Sequence, residues 1–287
     1  MTKTLVTAAA VIASTTLAAA HADPKPVTVQ VFTASPGGFL VDSTLVMGEK
    51  DAILVDAQFT LADAHRLIGM ILDAKKNLTT VYITHLHPDH YFGLAAIKQA
   101  FPKARLVALP AAVKEIAATA KDKQKQWGAM YGDNIPQTLV LPTALAEPRL
   151  TLEGQPLEIH GGVQGDAADN SYVWIPSIKT VVAGDIVYRG VHPWTAETTS
   201  ASRKQWQKTL DELTALKPVK VIAGHKDPKL DDSPDGLKQT RDYLDAFDAA
   251  VASSKTPEEV QAKIKAKYPD LQLDIILQLG AGAQFKK

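Results

Sequence analysis

Between Thr84 and His90 the chain reads Thr-His-Leu-His-Pro-Asp-His, gathering the imidazoles of His85, His87 and His90 and the carboxylate of Asp89. The whole sequence holds only 8 His, so this density points to shared chemistry rather than to scatter. The cluster follows Val81-Tyr82-Ile83, an apolar run that reads as a buried strand. Ionisable groups at the end of such a strand need mutual satisfaction, and a bound cation supplies it. His85 and His87 are two residues apart, which on an extended segment puts both side chains on one side. Pro88 stiffens the turn that carries Asp89 and His90 to a second position. The chain has no Cys, which excludes disulfides, thiolate ligands and a Cys nucleophile, and leaves imidazole and carboxylate as metal donors.

The segment resembles the H-x-H-x-D-H signature of the metallo-β-lactamase superfamily. Ala52-Ile53-Leu54-Val55-Asp56 is similar to the family's apolar strand ending in Asp. Val181-Val182-Ala183-Gly184-Asp185-Ile186-Val187 is similar to its G-D segment, and Val221-Ile222-Ala223-Gly224-His225 to its late G-H segment. The four segments stand in the family's order and span most of residues 27–230. The resemblance implies an α/β fold, a four-layer αββα sandwich with the site at one edge between two sheets. It also implies two zinc ions per chain. His85 and His87 would hold the first and Asp89, His90 and His225 the second, with Asp185 bridging them. Asp56 would brace a ligand His from behind, fixing its tautomer. The family's Asp-Thr-Gly is here Asp56-Ala57-Gln58, so the turn after it must differ.

One position departs from the family pattern. A third His normally completes the first metal set, but that region reads Gly161-Gly162-Val163-Gln164-Gly165-Asp166-Ala167-Ala168-Asp169-Asn170. Aligning Asp169-Asn170 with a family D-N puts Asp166 where the His belongs. His160 is the other candidate, although it alternates out of Leu157-Glu158-Ile159 and could simply end that strand. With Asp166, the first site becomes two His and one carboxylate plus the bridge, a more anionic set and a weaker donor set for zinc.

The activity implied is hydrolysis of a small ester- or amide-like substrate, a β-lactam or a lactone foremost. A metal-bound hydroxide, oriented by Asp89 or Asp185, would attack the carbonyl or phosphoryl centre. Other chemistries lack their signatures: there is no G-x-x-x-x-G-K-[ST], G-x-S-x-G or G-x-G-x-x-G. Two alternatives carry specific residues. A mononuclear iron dioxygenase of the same fold would use His85, His87 and Asp166 or Asp185. A non-catalytic metal- or ligand-binding protein would explain the altered third ligand. After Asp185, the stretch Tyr188 to Trp194 could line a substrate pocket, with Tyr188 or His192 donating to an oxyanion and Trp194 beside them; plain packing is the other reading.

The elements that must position these groups follow from periodicity. Residues 27–34, 39–47, 52–55, 79–84, 105–109, 150–152, 157–159, 172–175, 180–183 and 220–223 read as strands. Residues 61–74, 91–100, 111–127 and 202–216 read as helices, 235–267 as mostly helical, and 128–148 as loop-rich. The first 22 residues carry Lys3, an uncharged run from Leu5 to Ala20, and Ala20-His21-Ala22 before Asp23, the pattern of a cleaved secretory leader. A periplasmic or secreted domain over residues 23–287 is therefore expected. The 31 basic and 31 acidic residues balance, which points to a small-molecule substrate rather than to nucleic acid or a membrane surface. Lys121-Asp122-Lys123-Gln124-Lys125 reads as a solvated helix face.

Overall fold

Strand alternation sets the layers. Val81 and Ile83 turn to one apolar cluster and Tyr82, between them, to another, as period-two side chains must. The computed structural model that shows this describes Met1 and residues 25–286; the leader expected over residues 1–22 lies, apart from Met1, outside the described residues. Six strands, β1 (Thr28–Thr33), β2 (Asp42–Met47), β3 (Asp51–Val55), β4 (Asn77–Ile83), β5 (Arg105–Ala108) and β6 (Thr143–Ala144), form one sheet in chain order. β1, β2 and β3 are antiparallel, and β3 to β6 run parallel. Seven more follow: β7 (Arg149–Leu152), β8 (Gln155–Val163), β9 (Asn170–Ile175), β10 (Thr180–Val182), β11 (Tyr188–Arg189), β12 (Lys220–Ile222) and β13 (His225–Lys226). β12, β10, β9, β8 and β7 form the second sheet in that order, while β11 and β13 pair separately.

Ile53, Val55, Tyr82 and Val107 of the first sheet meet Leu157, Ile159, Val173, Ile175 and Val182 of the second in the central core. Each aliphatic side chain buried there contributes about 1.5–3 kcal/mol. Behind the first sheet lie helices α1 (Leu61–Asp73), α2 (Pro88–Tyr91), α3 (Leu94–Ala100) and α4 (Pro110–Tyr131). There Leu54, Val81 and Ile83 pack with Leu67, Ile71, Ile97 and Ile116. Behind the second lie α5 (Ser200–Ala215) and α6 (Asp235–Ala252), whose Trp206, Leu210, Leu213 and Leu244 cover Val181 and Val221. The order is helix, sheet, sheet, helix: the expected αββα sandwich. α7 (Pro257–Lys267) and α8 (Asp274–Ala283) add a cluster of Tyr243, Phe247, Val260, Ile264, Leu277 and Ala281 beside α6. No helix among the described residues is long and apolar enough to cross a membrane.

Several boundaries differ from expectation, each for a local reason. The strand expected from residue 39 starts at Asp42, because Phe39 and Leu40 adopt left-handed backbone with φ of 60° and 54°. The helix expected over 91–100 is broken between α2 and α3 at Phe92-Gly93. A Cβ on Gly93 would stand 1.8 Å from the Ala57 carbonyl oxygen, so the turn after β3 lies directly against the break. The helix expected to end at Trp127 runs on through Gly128 to Tyr131.

Candidate metal centre

The candidate side chains leave the carboxyl ends of strands. Asp56 follows β3, His85 and His87 follow β4, Asp166 follows β8, Asp185 follows β10, and His225 follows β12 through Gly224. These ends converge at one edge of the sandwich, where ligands of layered α/β folds characteristically sit. The short helix α2 carries Asp89 and His90 into the same space. Gly224 permits the closest approach: a Cβ there would stand 2.0 Å from Asp185 Oδ1. The altered turn after Asp56 keeps a glycine-like backbone, with φ of 62° at Asp56 and 76° at Gln58. The Gln58 amide is held by donating to the Val41 carbonyl and Ser43 Oγ at 3.2 and 2.7 Å.

Two groups of donors result. His85, His87, Asp166 and Asp185 offer atoms within 4.8 Å of one another, and so do Asp89, His90 and His225. In the first, His87 Nδ1 lies 3.1 Å from His85 Nε2 and 3.0 Å from Asp166 Oδ2. In the second, His225 Nε2 lies 3.3 Å from Asp89 Oδ2. Asp185 faces both: its Oδ2 lies 3.6 Å from His85 Nε2 and 3.2 Å from His225 Nε2, and its Oδ1 lies 3.1 Å from His90 Nε2. All are buried except Asp89, which is half-buried. His90 Nε2 and Asp185 Oδ1 face each other at 3.1 Å, yet neither makes a well-aligned hydrogen bond among the described residues. A buried polar atom left unpaired costs about 1–3 kcal/mol, and a divalent cation shared by these atoms removes that cost. The residues present therefore fit a metal pair.

The outer ring nitrogens are tied down. His90 Nδ1 donates to Asp56 Oδ2 at 2.8 Å, and His225 Nδ1 donates to the Phe39 carbonyl at 2.7 Å. His85 Nδ1 lies 2.9 Å from Thr84 Oγ1, which in turn donates to Asp56. These bonds select the tautomers that leave each Nε2 free to face the centre. Asp56 thus braces two of the imidazoles, one directly and one through Thr84.

Electrostatics agree with a site built for cations. Burial alone would depress the His90 and His225 imidazoles, but neighbouring carboxylates, Asp185 foremost, outweigh it and hold both well above the ordinary value. Burial likewise opposes protonation of His87, and Asp166 with Glu197 outweighs it. For Asp185, burial pushes upward, yet His225, His90 and His85 hold the carboxyl well below its usual range. Protons here occupy positions that suit a metal cation, whose binding would release them.

Above the donors lies a cleft whose lining includes Tyr188, His192 and Trp194, all three of the expected wall residues. The Tyr188 hydroxyl lies 2.9 Å from Asp185 Oδ2 and 3.1 Å from Asp166 Oδ2, and its ring stacks on His225. Burial, then Asp166 and Asp185, push that phenol well above its ordinary pKa, so it remains a donor. His192 is buried against the Tyr243 hydroxyl, and burial depresses it to about 4, leaving it neutral. His160 is not brought to the site: it stacks on Tyr172 and pairs with Glu158 at 3.7 Å. The sequence reading missed other wall residues, namely Phe39, Phe59, Trp127, Glu197 and the α8-side Leu273, Ile276 and Leu279. It also placed Lys123 in solvent, whereas Lys123 lines the cleft and pairs with Glu197 at 3.4 Å. No local pattern marks these residues, because distant segments supply them.

The sequence model of the Metallo-beta-lactamase superfamily matches residues 36–225, a span that ends on His225. A metallo-beta-lactamase family protein from Thermus thermophilus is 19% identical with a TM-score of 0.63, covering 89% of this chain and 91% of its own. A metallo-beta-lactamase from Pontibacter korlensis is also 19% identical, with a TM-score of 0.55 over 77% of this chain and 95% of its own. Among curated proteins no significant match is found. At these identities the solved structures speak to the fold.

Proposed function

This chain belongs to the metallo-beta-lactamase superfamily, and from that premise we propose that it is a metal-dependent hydrolase of a small ester- or amide-like substrate. The observation that carries the reading is Asp185, whose two oxygens face both groups of donors at once. Zinc suits a set made of imidazoles and carboxylates. His85, His87 and Asp166 would hold one ion, Asp89, His90 and His225 the other, and Asp185 both. A divalent cation supplies a water that ionises near neutral pH, its pKa lowered to about 7, and an electrophile for the substrate carbonyl.

The chain's own groups supply the rest. Asp89 and Asp185 stand at the floor of the cleft as acceptors for the proton of the attacking water. The Tyr188 hydroxyl sits beside them as a donor to the carbonyl oxygen. The wall of Phe39, Phe59, Trp127, Trp194 and Leu273 takes an apolar body and excludes water. The indole nitrogens of Trp127 and Trp194 are buried without an acceptor among the described residues, which suits a ligand that brings oxygen atoms. Among the described residues lining the cleft, Lys123 is the only Lys or Arg, and it is paired with Glu197. That pairing favours a neutral lactone over a β-lactam, which carries a carboxylate.

The test is metal content per chain in protein purified without added metal or chelator, followed by turnover of a lactone and β-lactam panel. About two zinc ions per chain, with activity lost to a chelator and restored by zinc, are the expected outcome. Turnover that persists without metal overturns the proposal, and iron with oxygen consumption replaces it with oxygenase chemistry. We further propose export on a leader over residues 1–22; protein recovered from outside the cytoplasm should then begin at Asp23.

A further inference from the structure

The four imidazoles of the centre differ in what holds their outer nitrogen. For His85, His90 and His225 it is a neighbour in the wall behind the ring: Thr84, Asp56 or the Phe39 carbonyl. His87 is turned the other way. Its Nδ1 faces His85 and Asp166, and its Nε2 lies 3.3 Å from Oε2 of Glu197, a residue 110 positions later in the chain. We propose that Glu197 is a positioning residue for the first metal, fixing His87 with Nδ1 toward the ion, and that Lys123 tethers Glu197 from across the cleft. The inference rests on the metal reading above.

The placement of Glu197 is built. It sits in the turn before α5. The Arg203 guanidinium donates to the Thr198 carbonyl at 3.2 Å and to Thr198 Oγ1 at 2.8 Å, and is itself held by Asp248 at 2.6 Å. The Gln284 amide donates to the Thr195 carbonyl at 3.1 Å. The backbone on both sides of Glu197 is therefore fixed from below. Its second oxygen, Oε1, lies 3.4 Å from Lys123 Nζ on α4. One carboxylate thus receives His87 on one oxygen and Lys123 on the other.

Coordination through Nδ1 requires the ring proton to be on Nε2. A carboxylate accepting that proton fixes both tautomer and ring plane, and makes Nδ1 the stronger donor. This matters at the first group in particular, where Asp166 stands in place of a third imidazole. A more basic His87 compensates for that set.

The experiment loads wild type, Glu197→Ala and Glu197→Gln with cobalt(II) or zinc in competition with a chromophoric chelator, which yields two stepwise dissociation constants. Asp166→Ala identifies the first-site equivalent. Glu197→Ala should weaken that same equivalent by about 10–100-fold, leave the other unchanged, and alter only the cobalt absorption belonging to the weakened one. Glu197→Gln, whose amide oxygen still accepts from Nε2–H, should fall between. Two unchanged equivalents, or equal weakening of both, overturn the inference. A wild type that binds no metal overturns the metal reading itself.

Discussion

Asp166 and His160 stand six residues apart and could each have supplied the missing ligand, but the backbone gives them opposite fates. Asp166 is buried in the β8–β9 turn, with Oδ1 accepting from the Asn170 amide at 3.2 Å and Oδ2 facing His87 at 3.0 Å. His160 is still within β8, paired opposite Tyr172, and its ring lies on that tyrosine. On the proposed two-metal reading, replacing Asp166 with Ala should therefore remove one metal equivalent and most turnover, whereas His160→Ala should leave metal stoichiometry and affinity as in wild type. Titration of both variants with zinc checks this, and a His160→Ala protein that loses an equivalent would contradict the assignment. The two left-handed residues nearby, Asp56 and Gln58, carry backbone strain of about 1–3 kcal/mol each. Bonds from Thr84, His90 and Gln58 to their neighbours hold the turn in that state.

The contact that matters most between elements is the one between the turn after β3 and the break separating α2 from α3. Ala57 N–H donates to the His90 carbonyl at 2.7 Å, and Gly93 N–H donates to the Gln58 carbonyl at 2.9 Å. This pair of bonds sets Asp56 beside His90, so the helix break is part of the candidate metal centre. A methyl group at Gly93 cannot be accommodated without moving the Ala57 carbonyl. Gly93→Ala should lower stability by about 1–3 kcal/mol, the usual cost of overpacking, and should also weaken the metal equivalent that uses His90. Urea unfolding together with a metal titration measures both. A variant with wild-type stability and wild-type affinity would show that the turn and the break move independently.

At the scale of the molecule, burial of a charge links stability to pH. Asp42 lies under the centre on β2, with Oδ1 accepting from the Thr33 hydroxyl and Lys226 3.9 Å from Oδ2. Burial raises its carboxyl to about 7, against a smaller opposing pull from Lys226. Because the folded value exceeds the unfolded one, the favourable contribution of the neutral acid is complete below about 4. It is lost as pH rises through about 7. Asp42→Asn keeps an acceptor for Thr33 and removes the titration, so its urea midpoint should fall less between pH 5 and pH 8 than that of wild type. Equal slopes in the two proteins would mean that other groups set the dependence.

The sequence by itself determined the candidate ligands and the frame. His85, His87, Asp89 and His90 are legible because they are neighbours on one strand end and one short helix, and local geometry alone brings them together. Asp56, Asp185 and His225 are legible through their resemblance to family segments at the ends of apolar strands. The layers follow from period-two alternation, which any strand must obey. Tertiary structure alone decided the rest. Lys123 belongs to a run of alternating charges that any helix could show to water, and it faces the cleft only because Glu197, 74 residues away, meets it there. α8, whose side of the cleft supplies Leu273, Ile276 and Leu279, lies beyond the last stretch with a readable helical pattern. Such contacts are set by how strands and helices pack across the whole domain, and no local period in the sequence encodes a meeting between segments so far apart.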